Sequence, residues 1–314
     1  MTLKIERGVK RSAVRAVIYG TEGIGKSTLA AQFPNPVILD TEDGTGQIDC
    51  ARVVCHDSMA MESALLDLIG DPQGFQTVVI DSADWAERQI LEHMLRKDGK
   101  RSVEDYGFGK GFVKLAEAFT RVMGLCDQLI AKGVHVVMVA HATIKRTSPP
   151  DETDGYDRYE LKLTKQTAPL LKEWSDLLLF CNYRTKLVEG ADGRMKAQGG
   201  KTRVMYAERA AAWDAKNRFG LPADMPMEIG QLAGLLEPVG PAKAGPVAKP
   251  KSWRERISEA ADTSALRVIR GQISSAFGTN KLSEEQAATL FGLVDERQSA
   301  MEVGSEPATE AANA

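Results

Sequence analysis

Gly20-Thr21-Glu22-Gly23-Ile24-Gly25-Lys26-Ser27 spells G-x-x-x-x-G-K-S, the pattern of a loop that wraps the phosphates of a nucleoside triphosphate. Before it lies an apolar run, Ala13-Val14-Arg15-Ala16-Val17-Ile18-Tyr19, which reads as a buried strand. After it, Thr28-Leu29-Ala30-Ala31-Gln32-Phe33 reads as the opening of a helix. Strand, loop and helix in that order are the context the motif requires. Glycines at 20, 23 and 25 let backbone N–H groups converge on phosphate without Cβ interference. Gly20 through Thr28 are therefore the expected nucleotide-binding residues. Lys26 is expected to reach the β- and γ-phosphates, and the Ser27 hydroxyl to ligate Mg²⁺. ATP and Mg²⁺ are the implied cofactors.

Strand-like and helix-like stretches alternate outward from the loop as far as residue 182. Pro36–Asp40, Arg52–Cys55, Thr77–Asp81 and Val134–Ala140 read as strands. Ser58–Ile69 (with Ser58 able to cap it), Ala83–Leu95 and Phe112–Lys132 read as helices, and Gly133 stops the last. Continuous apolar strands between helices indicate a mostly parallel sheet covered on both faces. Leu177–Cys181 reads as one more strand. Thr185–Glu189 and Thr202–Tyr206 then form an antiparallel hairpin. The fold class expected is an α/β phosphate-loop core over residues 1–237 with this hairpin as an extension. A Pro/Ala/Lys linker at 238–251, a small helical module at 252–300 and a disordered acidic tail at 301–314 complete the chain. Within the module, helices are expected from Ser252 to about Arg270 and from Ser283 to Arg297, with Ser283 and Gln286 in capping-box spacing.

The 314 residues, 43% hydrophobic and 26% charged, suit a globular protein. A net charge of −3 gives no global attraction to nucleic acid, so any such surface must be local. Cys50, Cys55, Cys126 and Cys181 lack the spacing of a metal or disulfide framework. No apolar run approaches the roughly 18 residues of a membrane span. A soluble, cytoplasmic protein is expected.

Asp81 closes an apolar strand and is the expected carboxylate behind Mg²⁺; the alternative is a helix cap before Ala83. Hydrolysis also needs a base to orient water. Glu42, just beyond the second strand, is the candidate, with Asp40 and Asp43 as competitors and solvated loop acids as the bland reading. Strand C-termini collect on one edge of a parallel sheet, so Glu42 would face the loop and Asp81. His141, after Val139-Ala140, is placed to sense the γ-phosphate.

Two stretches read as loops that could touch single-stranded DNA. In the first, Lys100, Arg101, Tyr106, Phe108 and Lys110 interleave cations and aromatics with glycine, a pattern suited to phosphates and stacked bases. The second runs from Lys145 and Arg146 to Tyr159, but Asp151, Glu152, Asp154 and Asp157 weaken a simple phosphate clamp. Lys162 and Lys165 lie where they could reach a neighbouring subunit's nucleotide.

These residues together resemble a RecA-type ATPase core, and residues 10–235 resemble the phage nucleotide-binding proteins of the Sak single-strand-annealing type. The resemblance rests on Gly23-Ile24-Gly25-Lys26-Ser27-Thr28-Leu29-Ala30 and Val79-Ile80-Asp81-Ser82, which are generic. More specific are Tyr106-Gly107-Phe108-Gly109-Lys110-Gly111, Ala140-His141 with Lys145-Arg146, and Tyr206 through Leu221. It implies that Glu42 is the water-activating glutamate. His141 stands where RecA proteins carry glutamine and some ring helicases histidine. The resemblance further implies ATP-dependent single-strand binding with annealing or strand exchange in phage recombination or replication. It also implies a homo-oligomeric ring or filament. The C-terminal module is a candidate contact for DNA or a single-strand-binding protein. A ring helicase or translocase, a small-molecule kinase, and a nucleotide-switched binding module with little turnover stand as alternatives.

Overall fold

A computed structural model describes residues 8, 12–148, 155–189, 195–237, 253–260, 263–278 and 283–303. The linker at 238–251, the acidic residues 151–154 and the tail beyond 303 lie outside the described residues. These residues fall into two compact units dividing between 242 and 243.

In the first unit, β1 (Arg15–Gly20) leads through the glycine loop into α1 (Lys26–Ala30). β2 (Pro36–Asp40), β3 (Ala51–Val54), α2 (Ser58–Gly70) and β4 (Thr77–Asp81) follow. A short 3-10 turn, Val103–Tyr106, joins α3 (Ala83–Asp98) to α4 (Lys110–Ala131). Then come β5 (His135–Thr147), β6 (Tyr156–Leu161), α5 (Thr167–Trp174), β7 (Leu177–Glu189) and β8 (Met195–Tyr206). Two short strands, β9 (Lys216–Asn217) and β10 (Asp224–Pro226), complete the sheet.

The strand order is β10-β8-β7-β1-β5-β4-β2-β3, with β6 on β5 and β9 on β7. From β7 to β3 every pairing is parallel. The continuous apolar runs serve both faces. On β1, Val17 and Tyr19 enter the core beneath α2, α3, α4 and α5, while Ala16 and Ile18 enter the one that holds Leu29 and Phe33. Period-two alternation therefore feeds two cores from one strand.

Parallel pairing brings the chemistry to one edge. Gly20 lies beside His141 in the β1–β5 register, and Asp40 beside Asp81 in the β2–β4 register. One strand, β5, separates the loop strand from the strand that ends in Asp81. That is the RecA-like arrangement.

Several expectations are corrected. The helix at 58 is capped by Asp57, whose carboxylate accepts from the Ala60 N–H at 2.9 Å, and not by Ser58. The stretch after His141 is a strand rather than a loop: β5 continues to Thr147 and pairs antiparallel with β6. Its β-branched Thr143, Ile144 and Thr147 were the available signal. β7 runs unbroken through Leu177–Glu189, so the expected strand and the first hairpin arm are one element. Gly133 does stop α4: its φ is +84°, and the Val134 and Gly133 N–H groups return to the Leu129 and Ile130 carbonyls.

In the second unit, the helix expected over 252–270 is two, α6 (Trp253–Ser258) and α7 (Thr263–Gly278). α8 (Glu284–Val303) takes in Met301 to Val303, which the expected tail had claimed. Its capping box is formed, the Gln286 N–H donating to Ser283 Oγ at 3.2 Å and the Ser283 N–H to Gln286 Oε1 at 2.9 Å. Ile257, Leu266, Ile273, Leu290 and Val294 make this unit's own core. Among the described residues no helix is long and apolar enough to cross a membrane.

Candidate nucleotide site

The loop is shaped by where its glycines stand. A Cβ on Gly20 would lie 2.0 Å from the Cys181 carbonyl oxygen of β7, so no other residue fits there. Gly23 and Gly25 have φ of +71° and +101°, a backbone that side chains disfavour. Between these constraints the loop curls over Lys26, whose ammonium donates to the Gly20 and Thr21 carbonyls at 3.2 and 3.0 Å. Lys26 is only 5% exposed, and burial lowers its pKa. A cation held on loop carbonyls in a desolvated pocket is poised to exchange them for phosphate oxygens.

A cleft of about 330 Å³ opens here, lined by Gly23 and Gly25 with Lys26, Ser27, Asp40, Glu42, Asp81 and His141. Ser27 donates a side-chain hydrogen bond to Asp81. Burial, with Glu42 and Asp40 nearby, pushes the Asp81 carboxyl up to about 6. This excess of negative charge beside a hydroxyl fits a divalent cation. No three His, Cys, Asp or Glu side chains among the described residues converge into a metal cage. Mg²⁺ takes one or two protein oxygens and completes its shell with phosphate and water. Ser27 and Asp81 are the residues that would hold it.

Asp81 also carries a prediction. An acid whose folded pKa lies above its unfolded value binds more protons when folded, so its contribution to stability falls as pH rises from about 4 to 6. The full cost, on the order of 2–3 kcal/mol, stands at pH 8. Asp81→Asn should raise the melting temperature of nucleotide-free protein at pH 8, with the gain shrinking toward pH 5. It should also abolish further stabilisation by Mg²⁺ and ATP. A pH-independent difference in a thermal-shift series would contradict this.

The three acids beyond β2 separate by geometry. The Asp40 carboxylate accepts from the backbone N–H groups of Glu42, Gly44 and Thr45 at 3.2, 3.2 and 3.0 Å, and from the Thr45 hydroxyl. Burial raises its pKa, but these donors more than offset that and hold it below the usual range. Asp40 is the scaffold of the turn and has no lone pair to spare for a proton. Asp43 takes the left-handed corner at φ +59° and does not line the cleft. Glu42 does, with Oε2 accepting from Ser82 Oγ at 3.3 Å.

His141 lines the same cleft, and its ring is held by a residue the sequence did not reveal. Its Nδ1 donates to Asp84 Oδ2 at 2.9 Å, and its backbone N–H to Asp84 Oδ1 at 3.0 Å. That bidentate grip fixes Nδ1 inward and leaves Nε2 for the cleft. The Asp84 hydrogen bond raises the His141 pKa against its burial. Arg203 of β8 was also missed; its Nη1 donates to the Ile24 carbonyl at 3.3 Å, roofing the loop beside Gly25. Lys162, expected to lie within reach of a neighbouring subunit's nucleotide, has its Nζ 3.9 Å from Glu22 Oε1 of this chain's own loop.

The expected DNA-contacting residues are not brought to one place. Tyr106 is no free stacking face: its hydroxyl donates to Asp98 Oδ2 at 2.7 Å, and Lys100 and Lys114 sit 5.8 and 5.3 Å from its ring centroid. Phe108, with φ of +47°, is fully exposed. Arg101 is exposed on the same connection between α3 and α4, and Lys110 is exposed at the first position of α4. Lys145 and Arg146 lie on the antiparallel part of β5, Lys145 Nζ 3.6 Å from Glu160 and Arg146 exposed. Opposite them, Arg158 is buried in an ion pair with Asp214 at 2.5 Å, which removes it from any phosphate-binding lid.

A glycine loop at the end of a central parallel strand, with its lysine, serine and strand-end aspartate converging on one cleft, defines a phosphate-loop nucleotide-binding protein with a RecA-like core. More particularly, a family model described as an AAA domain (AAA_24) matches residues 12–219, and the chain belongs to that family. Comparison with curated proteins returns no match. Among solved structures, the flagellar accessory protein FlaH from Methanocaldococcus jannaschii is similar over 65% of this chain and 84% of its own, at 12% identity and a TM-score of 0.31.

Proposed function

We propose that this protein is an ATPase whose turnover is coupled to single-stranded DNA, acting as a homo-oligomer in phage annealing or strand exchange. One observation carries the reading: His141 belongs both to the nucleotide cleft and to the strand that carries Lys145 and Arg146 away from it. A change at the terminal phosphate would thereby be felt at the root of the hairpin that carries Lys145 and Arg146.

Lys26 binds the β- and γ-phosphates, and Mg²⁺, when bound, neutralises charge on them. Glu42 orients a water and takes its proton as the water oxygen bonds to the γ-phosphorus. The bond from that phosphorus to the bridging oxygen breaks, and ADP leaves with the electron pair. His141, steadied by Asp84, contacts the γ-phosphate through Nε2.

The test is phosphate release by purified protein with and without single-stranded DNA, with Lys26→Ala as the blank. Strong stimulation supports the reading. Turnover indifferent to nucleic acid would sink it. DNA binding that depends on ATP with negligible turnover would favour a nucleotide-switched binding module. Unwinding of a tailed duplex would favour a ring helicase.

A further inference from the structure

We propose that Lys162 is a nucleotide-contacting residue whose ammonium leaves Glu22 for the terminal phosphate of a bound nucleoside triphosphate. This rests on the reading of the cleft as a triphosphate site and adds a second cation to it, supplied by the same chain from the end of β6.

The backbone fixes where this lysine stands. Its N–H donates to the His141 carbonyl at 2.9 Å, one step beyond the Ala142–Leu161 pair of the β5–β6 ladder. Lys162 is thus bonded to a residue that lines the cleft. Direction follows from its neighbours: Leu161 and Leu163 are 0% and 6% exposed in the core beneath the helices, so the residue between them points the other way. Two residues on, Thr164 is clamped to α3, its N–H and hydroxyl donating to the Glu87 carboxylate at 3.1 and 2.8 Å. The main chain around Lys162 is fastened on both sides, and only its flexible stem is free to swing.

The bond it makes with Glu22 is one it can give up. The two charged atoms are 3.9 Å apart, and the side chains are 53% and 79% exposed. Ion pairs this open contribute little and are screened by salt. A triphosphate offers several negative charges and geometrically better acceptors. The pair also has a use while the cleft is empty: it neutralises Glu22, a carboxylate within the loop that must receive anions. Lys26 reaches the β- and γ-phosphates from within the loop, and Arg203 is tied to the Ile24 carbonyl. Lys162 adds a further cation for the end that distinguishes ATP from ADP.

Titrating the full chain with ATP and with ADP by calorimetry tests this. Lys162→Met should raise the Kd for ATP about tenfold and leave that for ADP unchanged, as loss of one charge-assisted contact requires. Lys162→Arg should restore most of the loss. Glu22→Gln should bind ATP as tightly as wild type or more so, because it frees the lysine. An unchanged ATP-to-ADP ratio in Lys162→Met overturns the proposal, and so does an equal loss for both nucleotides, the mark of a merely structural role. If wild type binds ATP no better than Lys26→Ala, the cleft reading itself fails and takes the proposal with it. Wild-type binding with an unaffected Lys162→Met removes only the proposal.

Discussion

Glu42→Gln is expected to leave ATP binding intact while hydrolysis falls by about 10²-fold or more. Gln keeps the size of the side chain and an oxygen that can accept from Ser82, but it cannot take a proton from water. The prediction is sharp because the neighbouring acids are excluded by what they already do. Asp40 is consumed by the turn's own donors, and Asp43 sits on a corner outside the cleft. Calorimetry with ATP and single-turnover phosphate release would separate the two effects. A rate close to wild type with binding preserved would remove Glu42 from the chemistry and leave water activation without a carboxylate.

Gly20→Ala is expected to cost the fold itself. The added methyl would stand 2.0 Å from the carbonyl oxygen and 2.9 Å from the carbonyl carbon of Cys181. Both are backbone atoms of the adjacent strand, so relief means prising β1 from β7, and β1 is held on its other side by β5. A loss above about 4 kcal/mol, or failure to accumulate folded protein, is expected. Gly23→Ala is the control. Nothing lies within 4 Å of its Cβ, and only its positive φ opposes the change, which costs about 1–2 kcal/mol. Denaturant melts of the two variants should differ widely; similar midpoints would mean that the strand contact is softer than its geometry.

What could be read in advance follows from how local each signal is. Val134–Ala140 and Thr77–Asp81 announce themselves because a strand buried on both faces needs apolar residues throughout. The loop and the acids at strand ends then follow from chain order alone. Asp84 was invisible because its meaning depends on His141, 57 positions away in sequence, meeting it across the sheet edge. Arg203 was hidden for the same reason, its contact lying on a loop distant in sequence. Tyr106 misled differently. Cations and glycines around an aromatic suggest a stacking platform, but Ser102 and Asp105 form a capping box that turns the ring back toward α3. The S-x-x-D spacing was present in the sequence and outweighed the composition. Polar β6 and two-residue β9 carry too little pattern to be recognised without their partners.

β5 is one uninterrupted strand that serves two sheets. Its first half is clamped between β1 and β4, and its second half, beyond them, pairs among the described residues with β6. Mechanically this is a braced beam rather than a free arm. β6 props it at Tyr159, whose N–H donates to the Ala212 carbonyl at 2.7 Å, and at Arg158, buried against Asp214. A push at His141 would therefore be shared with the Ala212–Asp214 corner before it reached Thr147.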